Sequence, residues 1–359
     1  MRQIVHGGNR EKIAKDLGKD ESELIDFSAN INPLGISDVV LQAIKDATSK
    51  IVDYPNPNYP NLKQAIAKQF NVRMDDVFVG NGAVQLIFDV TSSLNLQNAL
   101  VLSPTFGEYE RAFNRLNMKV DHFVLSQDDD FKVDVDRLIL KLKENSEIDL
   151  VCICNPNNPT GQVVPNNQMV KLANFCSKHN IWLVIDEAFM DLTTESDESF
   201  LRSLTEPLPV IVLRSATKFF AIPGLRLGFA ITKNAEMKAR MIEQQEPWSV
   251  NTFADAVGTV MYTDKDYINK TQKWFRKENA YLGAELRKIP QIHVFPSSTN
   301  YFLIKANSNQ LREKLWGENI MIRSCKDYLG LDDSYFRIAV KSHQNNVSLI
   351  EKLKKVIAD

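Results

Sequence analysis

Residues 149–186 read DLVCICNPNNPTGQVVPNNQMVKLANFCSKHNIWLVID, and this stretch decides the fold. After Asp149 comes a short apolar run, then a loop with two Asn-Pro steps, then an amphipathic pattern over 166–179 and a second apolar run at 181–186. Near-continuous apolar runs are strands buried on both faces, the mark of a parallel sheet, and the helical pattern between them is a crossover. Similar runs stand at 98–102 (NALVL), 210–213 (VIVL) and 227–232 (LGFAIT), with a further helical pattern at 133–143. This alternation predicts an α/β fold with a large, doubly wound, mainly parallel sheet.

The texture changes after Pro247. A long helical pattern runs from about residue 254 to 287, followed by apolar segments at 292–295, 301–305, 320–323 and 336–340 and a closing helix at 346–357. Such segregation predicts a small α+β domain. The expected organisation is an N-terminal segment (1–45) packed on the small domain and the active site, a large domain (46–245) and a small C-terminal domain (246–359). At 359 residues the chain is long enough for two domains.

Composition excludes several classes. Charged residues are 25% and hydrophobic ones 44%, the mix of a globular chain rather than a disordered or fibrous one. Lys+Arg 43 against Asp+Glu 45 leaves a net charge of −2, with no global field to hold nucleic acid. Four cysteines are too sparse for a disulfide scaffold, the N-terminus has no apolar leader, and no apolar run is long enough for a membrane span. The expectation is a cytoplasmic protein with no nucleic acid, membrane or metal partner.

The chemistry gathers where strands end. Asn155-Pro156-Asn157-Asn158-Pro159-Thr160-Gly161 is a rigid non-helical loop at the carboxyl end of a strand, where open α/β sheets bind ligands. Asp186 closes the next strand, and a buried carboxylate there needs a cation or a donor unless it serves as a helix cap. Lys218 follows the run 210–213 and is flanked by Phe219, Phe220, Ala221 and Ile222. Apolar surroundings lower a lysine pKa and leave a neutral amine for Schiff-base chemistry. Ser215-x-x-Lys218 also fits a serine–lysine nucleophile, but no companion motif accompanies it. Gly80-Asn81-Gly82-Ala83 leads into a helical stretch, and with Arg226 and Ser215 it makes half a phosphate cup. A lysine, a carboxylate for a pyridinium nitrogen and a phosphate cup are what pyridoxal 5′-phosphate requires.

On these motifs the chain resembles the fold-type I, aspartate-aminotransferase-like pyridoxal-phosphate enzymes over nearly its full length. Within them it is similar to the threonine-phosphate decarboxylases of the cobalamin pathway, relatives of histidinol-phosphate aminotransferases. The narrower resemblance rests on His6-Gly7-Gly8-Asn9, residues 26–35 (DFSANINPLG), Pro247-Trp248-Ser249-Val250-Asn251 and Ile322-Arg323-Ser324-Cys325. The resemblance implies that Lys218 holds the cofactor covalently, Asp186 its pyridine nitrogen and Asn158 its phenolic oxygen. It implies that Phe106 stacks on the ring, and that Gly82, Ala83, Ser215 and Arg226 hold the phosphate. Tyr54 would reach the phosphate in a partner subunit, making a homodimer with shared sites. Arg337 would bind the substrate α-carboxylate. Arg323, with His6, Gly7 and Asn30, would bind the phosphate of a small phosphorylated amino acid. Where many aminotransferases carry a tyrosine three residues after the aspartate, this chain has Phe189. The implied activity is decarboxylation of O-phospho-L-threonine to (R)-1-aminopropan-2-yl phosphate. Transamination, and decarboxylation of O-phospho-L-serine, remain the alternatives.

Overall fold

The computed structural model describes residues 7–195, 198–308 and 310–358. In chain order its strands are β1 (Ile25–Asp26), β2 (Val77–Asn81), β3 (Asn98–Ser103), β4 (Lys119–Val124), β5 (Leu150–Cys154), β6 (Trp182–Asp186) and β7 (Val210–Ser215). There follow β8 (Leu227–Ile231), β9 (Ile292–Val294), β10 (Tyr301–Ala306), β11 (Ile320–Met321), β12 (Arg323–Ser324) and β13 (Tyr335–Ala339). A seven-stranded sheet runs β2-β8-β7-β6-β5-β3-β4. Strands β4, β3, β5, β6 and β7 pair in parallel, and every residue of β5 and β7 is buried.

One strand departs from the sequence reading. The run 227–232 was expected among the parallel strands, yet β8 lies antiparallel to both β7 and β2. The connection 216–226 is shorter than the roughly 12 residues a parallel crossover needs, so the chain turns straight back. Two strands carry little sequence signal. Gly80 and Asn81 cut short the apolar run of β2, and β4 is an edge strand of mixed burial, Lys-Val-Asp-His-Phe-Val.

The chain leaves β3 for β4 on one side and returns to β5 on the other. The loops after β3 and β5 therefore diverge, opening the crevice in which doubly wound sheets bind ligands. A second sheet, β12-β13-β10-β9, is antiparallel, and the helices Lys265–Arg287 and His343–Ala358 cover it with Leu282, Leu286, Leu349 and Leu353. The helical pattern expected over 254–287 is in fact two helices, Thr252–Val260 and Lys265–Arg287. Asp264 starts the second by accepting the Tyr267 N–H at 3.0 Å. The single strand expected at 320–323 is also divided. Met321 pairs with Asp26 of β1, whereas Arg323 pairs with Arg337 of β13.

A buried ion pair ties the ends of β6 and β7. Glu187 accepts hydrogen bonds from Arg214 Nη1 (2.8 Å), Ser199 Oγ (2.7 Å) and the Phe200 N–H (2.6 Å). Arg214 Nη2 reaches Asp191 Oδ1 at 2.5 Å, and its guanidinium lies 4.9 Å from the Phe70 ring centroid. The sequence neighbours of this pair are Asp186 and Ser215. Removing one member of a buried pair strands a charge. Glu187→Ala should therefore lower unfolding free energy by roughly 3 kcal/mol in urea titrations at neutral pH; an unchanged midpoint would show that Asp191 alone satisfies Arg214.

Candidate active site

The crevice widens into a cleft of about 880 Å³ between the two sheets. Gly7, Asn30, Ala83, Phe106, Asn158, Asp186, Ser215, Lys218, Arg226, Arg323 and Arg337 all line it. Gly82 lies directly behind Ala83, as the residue capping helix Ala83–Leu94. Tyr54 does not join them: it is 81% exposed and packs on Trp248, with ring centroids 4.7 Å apart. His6 lies outside the described residues.

Asp186 ends β6 with its side chain buried. Its Oδ2 accepts the Tyr109 hydroxyl at 2.7 Å and its Oδ1 the Ala188 N–H at 2.9 Å. Burial pushes the Asp186 carboxyl above the usual carboxylate range, while the Tyr109 hydroxyl and the Lys218 charge pull it back. Tyr109 was not singled out in the sequence, although it lies three residues beyond Phe106, in the first turn of the helix Glu108–Arg115. Its ring centroid stands 5.6 Å from that of Phe106, edge to face.

Lys218 Nζ donates to Ser215 Oγ at 3.0 Å and lies 5.3 Å from the Phe189 ring centroid. Its backbone is held from the N-terminal segment. The Asn32 N–H donates to the Lys218 carbonyl at 3.1 Å, and Asn32 Nδ2 donates to the Phe219 carbonyl (2.9 Å), the Tyr267 hydroxyl (3.0 Å) and Thr271 Oγ1 (2.9 Å). Asn32 thus joins the lysine loop to the helix Lys265–Arg287. Burial moves the Lys218 pKa from 10.5 to about 8, with Asp186 opposing and Arg226 assisting.

The helix Ala83–Leu94 presents its N-terminus to the cleft beside Arg226. Gly82 has φ 82°, and a Cβ there would lie 2.5 Å from Arg226 Nη2. Gly228 allows a close backbone approach, because its Cβ would lie 2.3 Å from the Ala83 nitrogen. Helix N–H groups and a guanidinium converge here on space suited to an anion.

The opposite wall is cationic. Arg323 and Arg337 face each other across the antiparallel pair β12–β13, and each is 7% exposed. Arg337 Nη1 donates to Asn158 Oδ1 (2.5 Å) and Nη2 to the Ser28 carbonyl (2.9 Å); its Nε, buried, has no hydrogen-bond partner among the described residues. Asn30 Oδ1 is likewise buried without one. Asn158 Oδ1 also accepts the Tyr328 hydroxyl at 3.2 Å, which leaves its amide nitrogen as the group it can offer a ligand. Tyr328 gave no signal in the sequence.

The family model described as "Aminotransferase class I and II" matches residues 22–353. The chain belongs to this family. It is 36% identical to the threonine-phosphate decarboxylase of Salmonella typhimurium, over 98% of this chain and 96% of that protein. It is 30% identical to the adenosylcobalamin biosynthesis bifunctional protein CobDQ of Leptospira interrogans, over 98% of this chain and 41% of that one. Among solved structures, the histidinol-phosphate aminotransferase of Clostridium acetobutylicum superposes with a TM-score of 0.87 at 32% identity, covering 93% of this chain and 99% of that one. Class I and II aminotransferase-family proteins such as this one work with pyridoxal 5′-phosphate, on the aspartate-aminotransferase-like fold.

A depressed lysine pKa has a thermodynamic signature. Between about pH 8 and 10.5 the unfolded chain holds a proton on Lys218 that the folded, cofactor-free protein has released. Unfolding then takes up protons, so stability rises with pH in this window. Relative to Lys218→Met, the cofactor-free wild type should gain stability as pH rises from 8 towards 10.5, read as the difference between urea midpoints. A flat difference would mean that the amine keeps its ordinary pKa.

Proposed function

We propose that this protein is a pyridoxal-phosphate-dependent lyase that decarboxylates O-phospho-L-threonine to (R)-1-aminopropan-2-yl phosphate. The observation that carries this reading is the pair Arg323 and Arg337. Like charges directly opposite across a ladder are unfavourable, and a buried guanidinium needs an anion. Arg337 donates to the neutral oxygens of Asn158 and Ser28, whereas Arg323 already holds the Asp327 carboxylate; the two suit a substrate with two anionic groups, an α-carboxylate for Arg337 and, in competition with Asp327, a phosphate for Arg323. The orphaned Arg337 Nε and Asn30 Oδ1 supply one further donor and one further acceptor. The relative from Salmonella typhimurium supports the same substrate by its name, and the Leptospira protein supports a place in cobalamin biosynthesis.

The cleft's donors fit the cofactor. Asp186 would hold the pyridine nitrogen, Asn158 the phenolic oxygen and Phe106 the ring face. Gly82, Ala83, Ser215 and Arg226 would hold the phosphate, and Lys218 would attach the cofactor covalently. When bound, pyridoxal phosphate supplies an electron sink for the pair released when a bond at the substrate Cα breaks. Arg337, fixed by Asn158 and Ser28, holds the carboxylate. Arg323, with Gly7 and Asn30, anchors the far end, and two anchors set the torsion about Cα. The Cα–carboxyl bond breaks, CO2 leaves, and Lys218, its pKa lowered by burial to about 8, delivers the proton that replaces it. Phe189 places a ring, with no hydroxyl, 5.3 Å from the lysine nitrogen. This absence of a donor agrees with a decarboxylase more than with the aminotransferases.

The test supplies O-phospho-L-threonine to the loaded enzyme without any keto acid. CO2 and the amine phosphate are expected in equal amounts, and none from Lys218→Ala. Activity that appears only with 2-oxoglutarate would make the enzyme a transaminase.

We further infer a cytoplasmic homodimer in which Tyr54 reaches the partner's cofactor phosphate. All four cysteines are free and buried. Ile51 (57%), Val52 (83%) and Tyr54 (81%) are exposed apolar neighbours in sequence, and Trp248 (46%) packs on Tyr54. Such exposed apolar residues favour an interface. Sedimentation should give a dimer, and a fully active monomer would sink the shared-site reading.

A further inference from the structure

Ser28 lines the cleft, and so far only its carbonyl, which holds Arg337, has been given a role. Its N–H (2.7 Å) and its hydroxyl (2.6 Å) both donate to Asp26 Oδ1, and its Oγ accepts the Gly8 N–H at 2.9 Å. A serine hydroxyl has one proton. With that proton given to Asp26, Oγ can only accept elsewhere, and the Gly8 backbone nitrogen offers only a donor. The three partners therefore have fixed roles. The segment carrying Ser28 is itself anchored: the carbonyls of Phe27, Ala29 and Asn30 receive the Ala339 N–H (2.9 Å), Lys341 Nζ (2.8 Å) and Asn300 Nδ2 (3.1 Å). Residues 7 and 8 are shaped to lie on it. A Cβ on Gly7 would stand 2.2 Å from the Ser28 carbonyl oxygen, and Gly8 has φ 88°.

We propose that Ser28 is a positioning residue, whose hydroxyl seats Gly7 and Gly8 against the cleft while its carbonyl fixes Arg337. The inference rests on the part given above to Gly7 in holding the substrate phosphate. One residue thus ties together a piece of each substrate anchor, the N-terminal segment at the phosphate end and Arg337 at the carboxylate end. Asp26 sets the direction of the hydroxyl, so the Gly8 N–H always meets a lone pair and never a competing proton. The carboxylate also polarises the hydroxyl and strengthens the bond it accepts. Without the hydroxyl the Arg337 bond survives, because a backbone oxygen makes it, but residues 7 and 8 lose their seat. A ligand that uses Gly7 must then order the segment at its own expense, and its affinity falls. By reciprocity, such a ligand holds the segment on Ser28 as firmly as Ser28 favours the ligand.

The test uses the cofactor-loaded enzyme and 4-phosphonobutyrate, which has the substrate's two anionic groups at the same chain length and no amine that could react. In calorimetric titration, Ser28→Ala should weaken the probe about fivefold, the worth of one hydrogen bond. Gly7→Ala, which drives a methyl group into the Ser28 carbonyl, should weaken it at least as much. Gly7 precedes the first helix, so this variant unseats the segment without touching the core, whatever Ser28→Ala does to folding. The double variant should bind within about twofold of Gly7→Ala, because a residue that acts through the seat has nothing left to act on. Losses that simply multiply would overturn the proposal, since they would place the effect of Ser28 on Asp26 or Arg337 instead. The seat is also read without any ligand, by amide hydrogen exchange at Gly8. Exchange should be faster in Ser28→Ala and in Gly7→Ala than in wild type, and equal rates would overturn the seat itself. The two readings fail separately. A wild type that exchanges as expected but does not bind the probe contradicts the phosphate role of Gly7, whereas an active decarboxylase with multiplying losses removes the Ser28 proposal alone.

Discussion

Arg323 and Arg337 are opposite residues of β12 and β13 in a nearly buried wall, and like charges so paired oppose folding. Much of the surrounding molecule makes it tolerable. Asp327 neutralises one group, and the carbonyl oxygens of Asn158 and Ser28 receive the other. Asn158 belongs to the loop after β5 and Ser28 to the segment after β1, so Arg337 draws the large sheet and the N-terminal segment against the small one. The cleft is the space these attractions leave open.

Opposite that wall the large sheet performs complementary work. Its crossing point between β3 and β5 separates two loops and leaves room for a ring between them. The Glu187–Arg214 pair fixes the ends of β6 and β7. Asp186 and Ser215 are covalent neighbours of that pair and inherit its rigidity. Asn32 adds a third support by holding the Lys218 carbonyl from outside the sheet. The two ends of the cleft thus differ in kind. One is built of backbone and buried carboxylates, the other of paired cations.

The sequence made much of this legible. Lys218, Asp186 and the loop 155–161 were recognisable because each follows a buried apolar run, and the sheet places the ends of such runs side by side. Direction was harder to read. Nothing in LGFAIT says whether the strand runs with its neighbours or against them; the length of the preceding connection says it. Partnerships between distant residues left no local trace. Tyr109 under Asp186, Tyr328 on Asn158 and Asn32 under Lys218 are each an ordinary polar residue until the fold is known. The cross-strand register of Arg323 and Arg337 was similarly hidden, because the run 320–323 divides between two sheets.

The contact between Gly228 and the Ala83 nitrogen bears on how this chain can change over time. A side chain at 228 would occupy the place of the helix backbone itself, which cannot be trimmed by substituting a smaller residue. The turn before the helix Ala83–Leu94 and the start of β8 are therefore sterically co-dependent, and drift in one is closed off by the other. At the Arg323 wall the contacts of Arg323 with Asp327 and of Arg337 with Asn158 are between side-chain tips, which can be exchanged one at a time. Descendants of this scaffold would then keep the end of the cleft beside that helix unaltered while the other end diversified.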